Sequence, residues 1–127
     1  MPKTILVIDD NRLSREINCA TLDSAGYKTI TASEGNEGLS ILKSGKVDLV
    51  ILDLIMPGLD GFGFLGVCKN DPQMKDIPVI VITGRDSKEE VEMVKKLGAA
   101  ECLVKYRMPP AVFLKAVQTI LGNKIHE

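Results

Sequence analysis

Residues 47–58 read VDLVILDLIMPG, and the fold prediction starts from this segment. Residues 47–52 form the most apolar strand of the chain, interrupted only by Asp48, and Asp53 follows at its carboxyl end. Short continuous apolar runs are typical of strands that are covered on both faces, as in parallel sheets. The segment therefore predicts a central strand that delivers an acid to the edge of a sheet where α/β proteins carry their chemistry.

Strand-like and helix-like segments alternate along the rest of the chain. Further strands are predicted at residues 5–8, 27–32, 78–82 and 100–105. Helices are predicted at residues 11–25, 33–43, 60–70, 87–98 and 109–121. Ser33 and Ser87 are the expected caps of the second and fourth helices. In the first helix, we expect Leu13, Ile17 and Ala20 to face the core. This alternation predicts an α/β fold with a doubly wound, five-stranded parallel sheet and helices on both faces.

Composition and charge exclude several classes of function. The 127 residues fit one domain, and 16 basic against 17 acidic residues give a net charge of −1, which argues against a nucleic-acid or membrane-surface footprint. The apolar runs are far shorter than the roughly 20 residues that span a bilayer, and residues 1–4 lead into a predicted strand without the long apolar region expected of a signal peptide. Cys19, Cys68 and Cys102 form no CxxC pair, so we expect a reducing cytoplasm. His126 is the only histidine and the penultimate residue, which argues against histidine-based catalysis.

The strand ends bring a distinctive set of side chains to one edge of the predicted sheet. In a sheet of order 2-1-3-4-5, the first and third strands are neighbours at the point where strand order reverses. The residues expected at this edge are Asp9, Asp10, Asp53, Thr83, Gly84 and Lys105. Two carboxylates about 5 Å apart repel by roughly 3 kcal/mol at an effective dielectric constant of 20. The positive charge of a Mg²⁺ ion relieves such repulsion, and Mg²⁺ prefers carboxylate, carbonyl and water oxygens as ligands. The acids therefore predict a magnesium site.

A single reaction would use all of these groups. One carboxylate can act as a nucleophile toward phosphorus, as in enzymes that form an aspartyl phosphate. The resulting phosphoryl group needs charge neutralisation and hydrogen-bond donors. The cation, the Lys105 ammonium, the Thr83 hydroxyl and the backbone N–H of Gly84 would supply them.

Four segments carry a resemblance to a known family: LVIDD at residues 6–10, LVILDLIMPGLDG at residues 49–61, PVIVITG at residues 78–84, and residues 99–105. Across essentially its whole length the chain resembles the receiver domain of two-component response regulators, including stand-alone chemotaxis-type regulators. The resemblance implies a flavodoxin-like (βα)5 three-layer sandwich and one receiver domain over residues 1–127. It also implies the following roles: Asp53 as phosphoacceptor, Asp9, Asp10, Asp53 and the backbone carbonyl of Ile55 as ligands of Mg²⁺ or Mn²⁺, Thr83 as switch hydroxyl, and Lys105 as partner of the phosphoryl group.

The function that the resemblance implies is that of a signalling switch, which assists its own phosphorylation and dephosphorylation but is not otherwise an enzyme. Such domains take a phosphoryl group from a histidine kinase or a phosphotransfer domain. They then change the surface made by the fourth helix, fifth strand and fifth helix, where a downstream protein binds. Neither nucleic acid nor membrane is an expected partner, and a homodimer linked to phosphorylation stays open.

Two residues depart from the family pattern. Cys102 stands where the family usually has Tyr or Phe, so the usual ring rotation is not available as a readout. Tyr106 stands where a proline with a cis bond usually follows the lysine. A cis bond before another residue costs about 3 kcal/mol, so we expect a trans bond or a rebuilt loop. Tyr106 is a candidate to replace the missing aromatic signal residue.

Two other functions compete with the switch. One is a receiver-fold interaction module that binds partners without phosphorylation. The other, more distant, is a hydrolase of the haloacid dehalogenase kind. Such an enzyme needs a general acid two residues after the nucleophile, and Ile55, which stands there, cannot serve as one.

Residues 61–66 match GxGxxG but do not directly follow a strand, so we interpret the match as chance rather than a dinucleotide site. Ile55 and Arg85 flank the predicted phosphoryl group, where we expect them to control the access of water.

Overall fold

The computed structural model describes residues 2–85 and 87–122, apart from the side chain of Tyr106. His126 and the Tyr106 side chain therefore lie outside the described part of the chain. The strands are β1 (Thr4–Ile8), β2 (Lys28–Ala32), β3 (Leu49–Asp53), β4 (Val79–Thr83) and β5 (Glu101–Val104). The α-helices are α1 (Arg12–Ser24), α2 (Gly35–Lys43), α3 (Gly61–Lys69), α4 (Lys88–Lys96) and α5 (Pro110–Leu121). A 3₁₀ helix covers Lys105–Arg107.

The five strands form one parallel sheet in the order β2-β1-β3-β4-β5. This order confirms the predicted topology, including the edge position of the polar second strand. β1 and β3 are direct neighbours, with Ile8 paired to Leu52. One residue further along each strand come Asp9 and Asp53, so the register itself sets these two acids side by side.

Each face of the sheet is covered by its own apolar core. Leu22 of α1 and Phe113 and Val117 of α5 pack on one face. Leu42 of α2, Phe64 of α3 and Val94 of α4 pack on the other. β3 is buried throughout because it lies in the middle of the sheet with helices above and below. The result is the predicted three-layer α/β sandwich.

The predicted inner face of α1 is wrong. Leu13 and Ile17 are 67% and 56% exposed, and Ala20 is exposed as well. The buried residues of this helix are instead Asn18 and Leu22. An α-helix turns by about 100° per residue, so a stripe that begins one position later faces a different direction. The structure thus turns two large apolar side chains toward solvent.

The helix caps agree with the sequence at α4 and differ at α2. Ser87 caps α4 and accepts a hydrogen bond from the N–H of Glu90 at 3.3 Å, as predicted. Ser33 does not cap α2, which begins at Gly35 after Glu34. Its backbone N–H instead donates to Glu37 Oε1 at 2.8 Å, so Ser33 lies one position outside the cap.

The GxGxxG match has a packing explanation at two of its glycines. A Cβ atom on Gly61 would lie 2.7 Å from the Cα of Leu54, and one on Gly63 would lie 2.7 Å from Leu59 Cδ1. These glycines let α3 approach the loop after β3.

No helix in the described residues combines the length and apolar character needed to cross a bilayer.

Candidate functional site

Three acids meet at the carboxyl end of the sheet. Asp53 is the last residue of β3, and Asp9 and Asp10 directly follow β1. One carboxylate oxygen from each residue lies within 4.8 Å of the corresponding oxygens of the other two. This spacing suits oxygen ligands of a single divalent cation. Asp9 and Asp53 are buried, whereas Asp10 is exposed at the rim.

The crowding of these acids affects the pKa of Asp53. Burial and, second to it, the neighbouring Asp9 carboxylate together raise the pKa of Asp53 from 3.8 to about 6. Lys105 and the backbone N–H of Ile55 act in the opposite direction and lower it. Burial and a like charge both disfavour a carboxylate, and a cation reverses that effect. The chemistry of the acid group therefore fits a bound divalent cation.

Backbone and side-chain hydrogen bonds hold Asp9 in place. Its Oδ1 accepts from the N–H of Asn11 at 2.9 Å, and Arg15 Nη1 donates to its carbonyl at 2.8 Å. Asn11 also caps α1 by accepting from the N–H of Ser14 at 2.8 Å. Sequence reasoning missed Arg15, and no motif marks it, because its contact depends on how α1 packs.

Lys105 faces Asp53 from the other side of the cleft. Its Nζ lies 3.7 Å from Asp53 Oδ2. The predicted fifth strand ended with Lys105, but β5 ends at Val104 and Lys105 begins the 3₁₀ helix. The described residues contain no cis peptide bond, so the bond to Tyr106 is trans, as expected, and the loop is rebuilt as this 3₁₀ turn. Lys105 thus reaches the acids from the start of a turn rather than from a strand.

Thr83 closes the site on the side of β4. It is fully buried, and its Oγ1 accepts from the backbone N–H of Arg85 at 3.1 Å. A cleft of about 500 Å³ opens beside it. The cleft is lined by Asp10, Asn11, Asp53, Ile55, Gly84, Arg85 and Lys105. Of the residues singled out from the sequence, Asp9 and Thr83 lie beneath this cleft rather than on its surface.

Two side chains shape the mouth of the cleft. Ile55 is 44% exposed and presents an apolar group. Arg85 Nη1 forms an ion pair with Glu90 Oε2 at 2.7 Å. In the sequence, Ser87 and Glu90 have the spacing of a capping box, which gives no sign of this ion pair. The ion pair depends on the turn between β4 and α4, which brings Arg85 back toward the helix.

The family model of the response regulator receiver domain matches residues 5–118. Among curated proteins, the polar-differentiation response regulator DivK of Brucella anthropi is 26% identical over 123 residues, which cover 97% of this chain and 99% of DivK. Protein PilH of Pseudomonas aeruginosa is 30% identical over 119 residues, which cover 94% of this chain and 98% of PilH.

Solved structures give the same result. The chemotaxis response regulator CheY4 of Vibrio cholerae has a TM-score of 0.86 and 32% identity, covering 94% of this chain and 99% of its own. The signal receiver domain of a histidine kinase from Syntrophus aciditrophicus has a TM-score of 0.86 and 28% identity, covering 98% of this chain and 95% of its own. The chain belongs to the response regulator receiver domain family.

Proposed function

We propose that this protein is a phosphoacceptor switch, in which Asp53 takes a phosphoryl group from a phosphohistidine in the presence of Mg²⁺ or Mn²⁺. The observation that carries the proposal is the meeting of three carboxylates within 4.8 Å, with the Lys105 ammonium 3.7 Å from Asp53. A purely structural acid at a strand end would need neither the other two acids nor the facing cation. The interaction module that works without phosphorylation is less well supported, because it has no use for this arrangement.

The transfer is a displacement at phosphorus. A carboxylate oxygen of Asp53 attacks the phosphorus atom, the bond from phosphorus to the donor histidine nitrogen breaks, and its electron pair stays on the imidazole. The phosphoryl group is then lost by hydrolysis, which is a second displacement at phosphorus. A water oxygen attacks phosphorus, the bond to the Asp53 oxygen breaks, and inorganic phosphate leaves the regenerated carboxylate.

Asp9, Asp10, Asp53 and the backbone carbonyl of Ile55 would hold the cation. When bound, Mg²⁺ neutralises charge on the phosphoryl oxygens and on the crowded acids. Asp9 is positioned for this role by its hydrogen bonds to Asn11 and Arg15. The hard oxygen donors of these residues support Mg²⁺ or Mn²⁺ over a softer metal.

Thr83, Gly84 and Lys105 would complete the phosphoryl site. Lys105 brings a positive charge that already faces Asp53. The Thr83 hydroxyl accepts from the N–H of Arg85, and a hydroxyl can donate its own proton at the same time. The backbone N–H of Gly84 at the cleft surface would add a further donor.

The phosphodonor would be a histidine kinase or a phosphotransfer domain that docks on α1. A groove of about 420 Å³ runs between α1 and the start of α5, and the exposed Leu13 and Ile17 line it. Asn11 and Lys105 line both this groove and the acidic cleft, so a protein seated here would present its phosphohistidine to Asp53.

The output would use the face formed by α4, β5 and α5. Met93 of α4 is 53% exposed and Val112 of α5 is 44% exposed on these elements.

We further propose that residues 1–127 act as one receiver domain in the cytoplasm. The three cysteines are free thiols, which supports a reducing compartment.

The test is phosphorylation by acetyl phosphate with Mg²⁺, followed by intact-protein mass spectrometry. We expect a gain of about 80 Da, the mass of one phosphoryl group, which disappears with EDTA and in Asp53→Ala. Asp76→Ala removes an exposed acid from the loop before β4 and should retain the gain. No gain in the wild-type protein would refute the proposal and favour the phosphorylation-independent module.

A further inference from the structure

The cleft beside Asp53 contains a second cation, Arg85, whose partner comes from outside the site. Its Nη1 lies 2.7 Å from Glu90 Oε2, and Glu90 belongs to the first turn of α4. The Arg85 side chain is 59% exposed and also lines the cleft with Asp53 and Lys105. Arg85 thus has an anionic partner on α4 and also lines the cleft in which the phosphoryl group would form.

Glu90 connects this cation to the start of α4. Its backbone N–H donates to Ser87 Oγ at the helix cap. Its other carboxylate oxygen, Oε1, is buried and has no hydrogen-bond partner among the residues described.

The backbone of Arg85 is hydrogen-bonded to the hydroxyl of Thr83. Its N–H donates to Thr83 Oγ1 at 3.1 Å, two residues earlier in the chain. A movement of Thr83 toward a phosphoryl oxygen would alter this hydrogen bond and the turn that carries Arg85. The same event would thus reach the Arg85 backbone and offer its side chain a new anionic partner.

We propose that Arg85 exchanges partners when Asp53 is phosphorylated. Its guanidinium leaves Glu90 and binds the phosphoryl oxygens, and the loss of the ion pair alters the start of α4. This inference rests on the proposed function. A phosphoryl group carries nearly two negative charges and matches the planar guanidinium, whereas Glu90 offers one charge and a single contact. The exchange would give this chain a route from the cleft to α4 that needs no aromatic ring at position 102.

The first test measures the affinity for beryllofluoride, a stable mimic of the phosphoryl group, in the presence of Mg²⁺. NMR titrations would compare the wild-type protein with Glu90→Gln, Arg85→Gln and the double variant. Glu90→Gln frees Arg85 from a half-exposed ion pair, so we expect binding to tighten about threefold. Arg85→Gln removes a charged contact, so we expect binding to weaken about tenfold.

The double variant separates exchange from a simple charge effect. If Glu90 acts by holding Arg85, the double variant binds like Arg85→Gln alone. Tightening by Glu90→Gln that persists without Arg85 would overturn the proposal, as would unchanged affinity in Glu90→Gln. Glu101→Gln is the matched control, because it breaks the Lys95–Glu101 ion pair (3.4 Å) between α4 and β5, and its affinity should stay at the wild-type value.

Hydrogen exchange gives an independent readout. In the wild-type protein, the mimic should speed amide exchange at residues 88–91, and this change should be absent in Arg85→Gln. Equal changes in both proteins would contradict the exchange of partners. A wild-type protein that gains no mass from acetyl phosphate refutes the proposed function, whereas normal phosphorylation with no effect of Arg85 or Glu90 refutes only this further inference.

Discussion

The stability of the metal-free protein should depend on pH through Asp53. Burial and the Asp9 charge raise the pKa of Asp53 to about 6 in the folded protein, against 3.8 for an unperturbed aspartate. A folded-state pKa above the unfolded one means that protonation favours the fold. The contribution of Asp53 to stability is therefore fully present below pH 4 and is lost as pH rises through about 6. Asp53→Asn removes this dependence.

The size of the effect follows from the two pKa values. The difference between 3.8 and about 6 corresponds to about 3 kcal/mol over the full range. Because Asp53 is only 7% exposed, solvent screening reduces this figure little. Between pH 8 and pH 5, the wild-type protein should gain about 1 kcal/mol relative to Asp53→Asn.

Urea unfolding in EDTA at pH 5, 6, 7 and 8 measures this difference. Asp76→Asn, at an exposed acid, is the control and should follow the wild-type profile. Saturating Mg²⁺ should raise wild-type stability at pH 8 and flatten its pH dependence, because the cation favours the charged form of Asp53. Parallel pH profiles for the wild-type protein and Asp53→Asn would refute the reasoning.

Three further predictions concern decay, docking and packing. Ile55→Asn should shorten the lifetime of the phosphorylated protein about fivefold, because an amide can orient water and an apolar chain cannot; equal phosphate release by both proteins would contradict this. Ile17→Ser should slow phosphotransfer from a phosphohistidine protein roughly tenfold without changing phosphorylation by acetyl phosphate, whereas Val67→Ser on α3 should change neither rate. Gly61→Ala should cost about 1–3 kcal/mol in urea unfolding, because its Cβ would meet the Leu54 backbone at 2.7 Å. Gly66→Ala in the same helix has open space and should stabilise the protein by about 0.5–1 kcal/mol, so equal effects of the two would refute the packing argument.

The alternation of apolar strands with helices predicted a parallel sheet with helices on both faces, and the order 2-1-3-4-5 is one of the common orders of such a sheet. Crossovers between parallel strands are right-handed in nearly all proteins, so few arrangements of five such units remain. Asp53 comes directly after one central strand and Asp9 after its neighbour, and parallel strands end at the same edge. Their meeting could therefore be predicted from the positions of the acids at the strand ends together with the strand order.

Only the tertiary structure decided which way the side chains of α1 face. Leu13 and Ile17 have the spacing of a core stripe, but α1 packs through Asn18 and Leu22, and hydrophobic spacing on a short helix does not define its rotation on the sheet. The Arg85–Glu90 ion pair is similar, because it depends on a turn whose path no motif encodes. Strand order and strand ends are properties of backbone pairing, which the apolar pattern along the chain specifies. Helix rotation and contacts across turns depend on how neighbouring surfaces fit together, and that fit exists only in the folded protein.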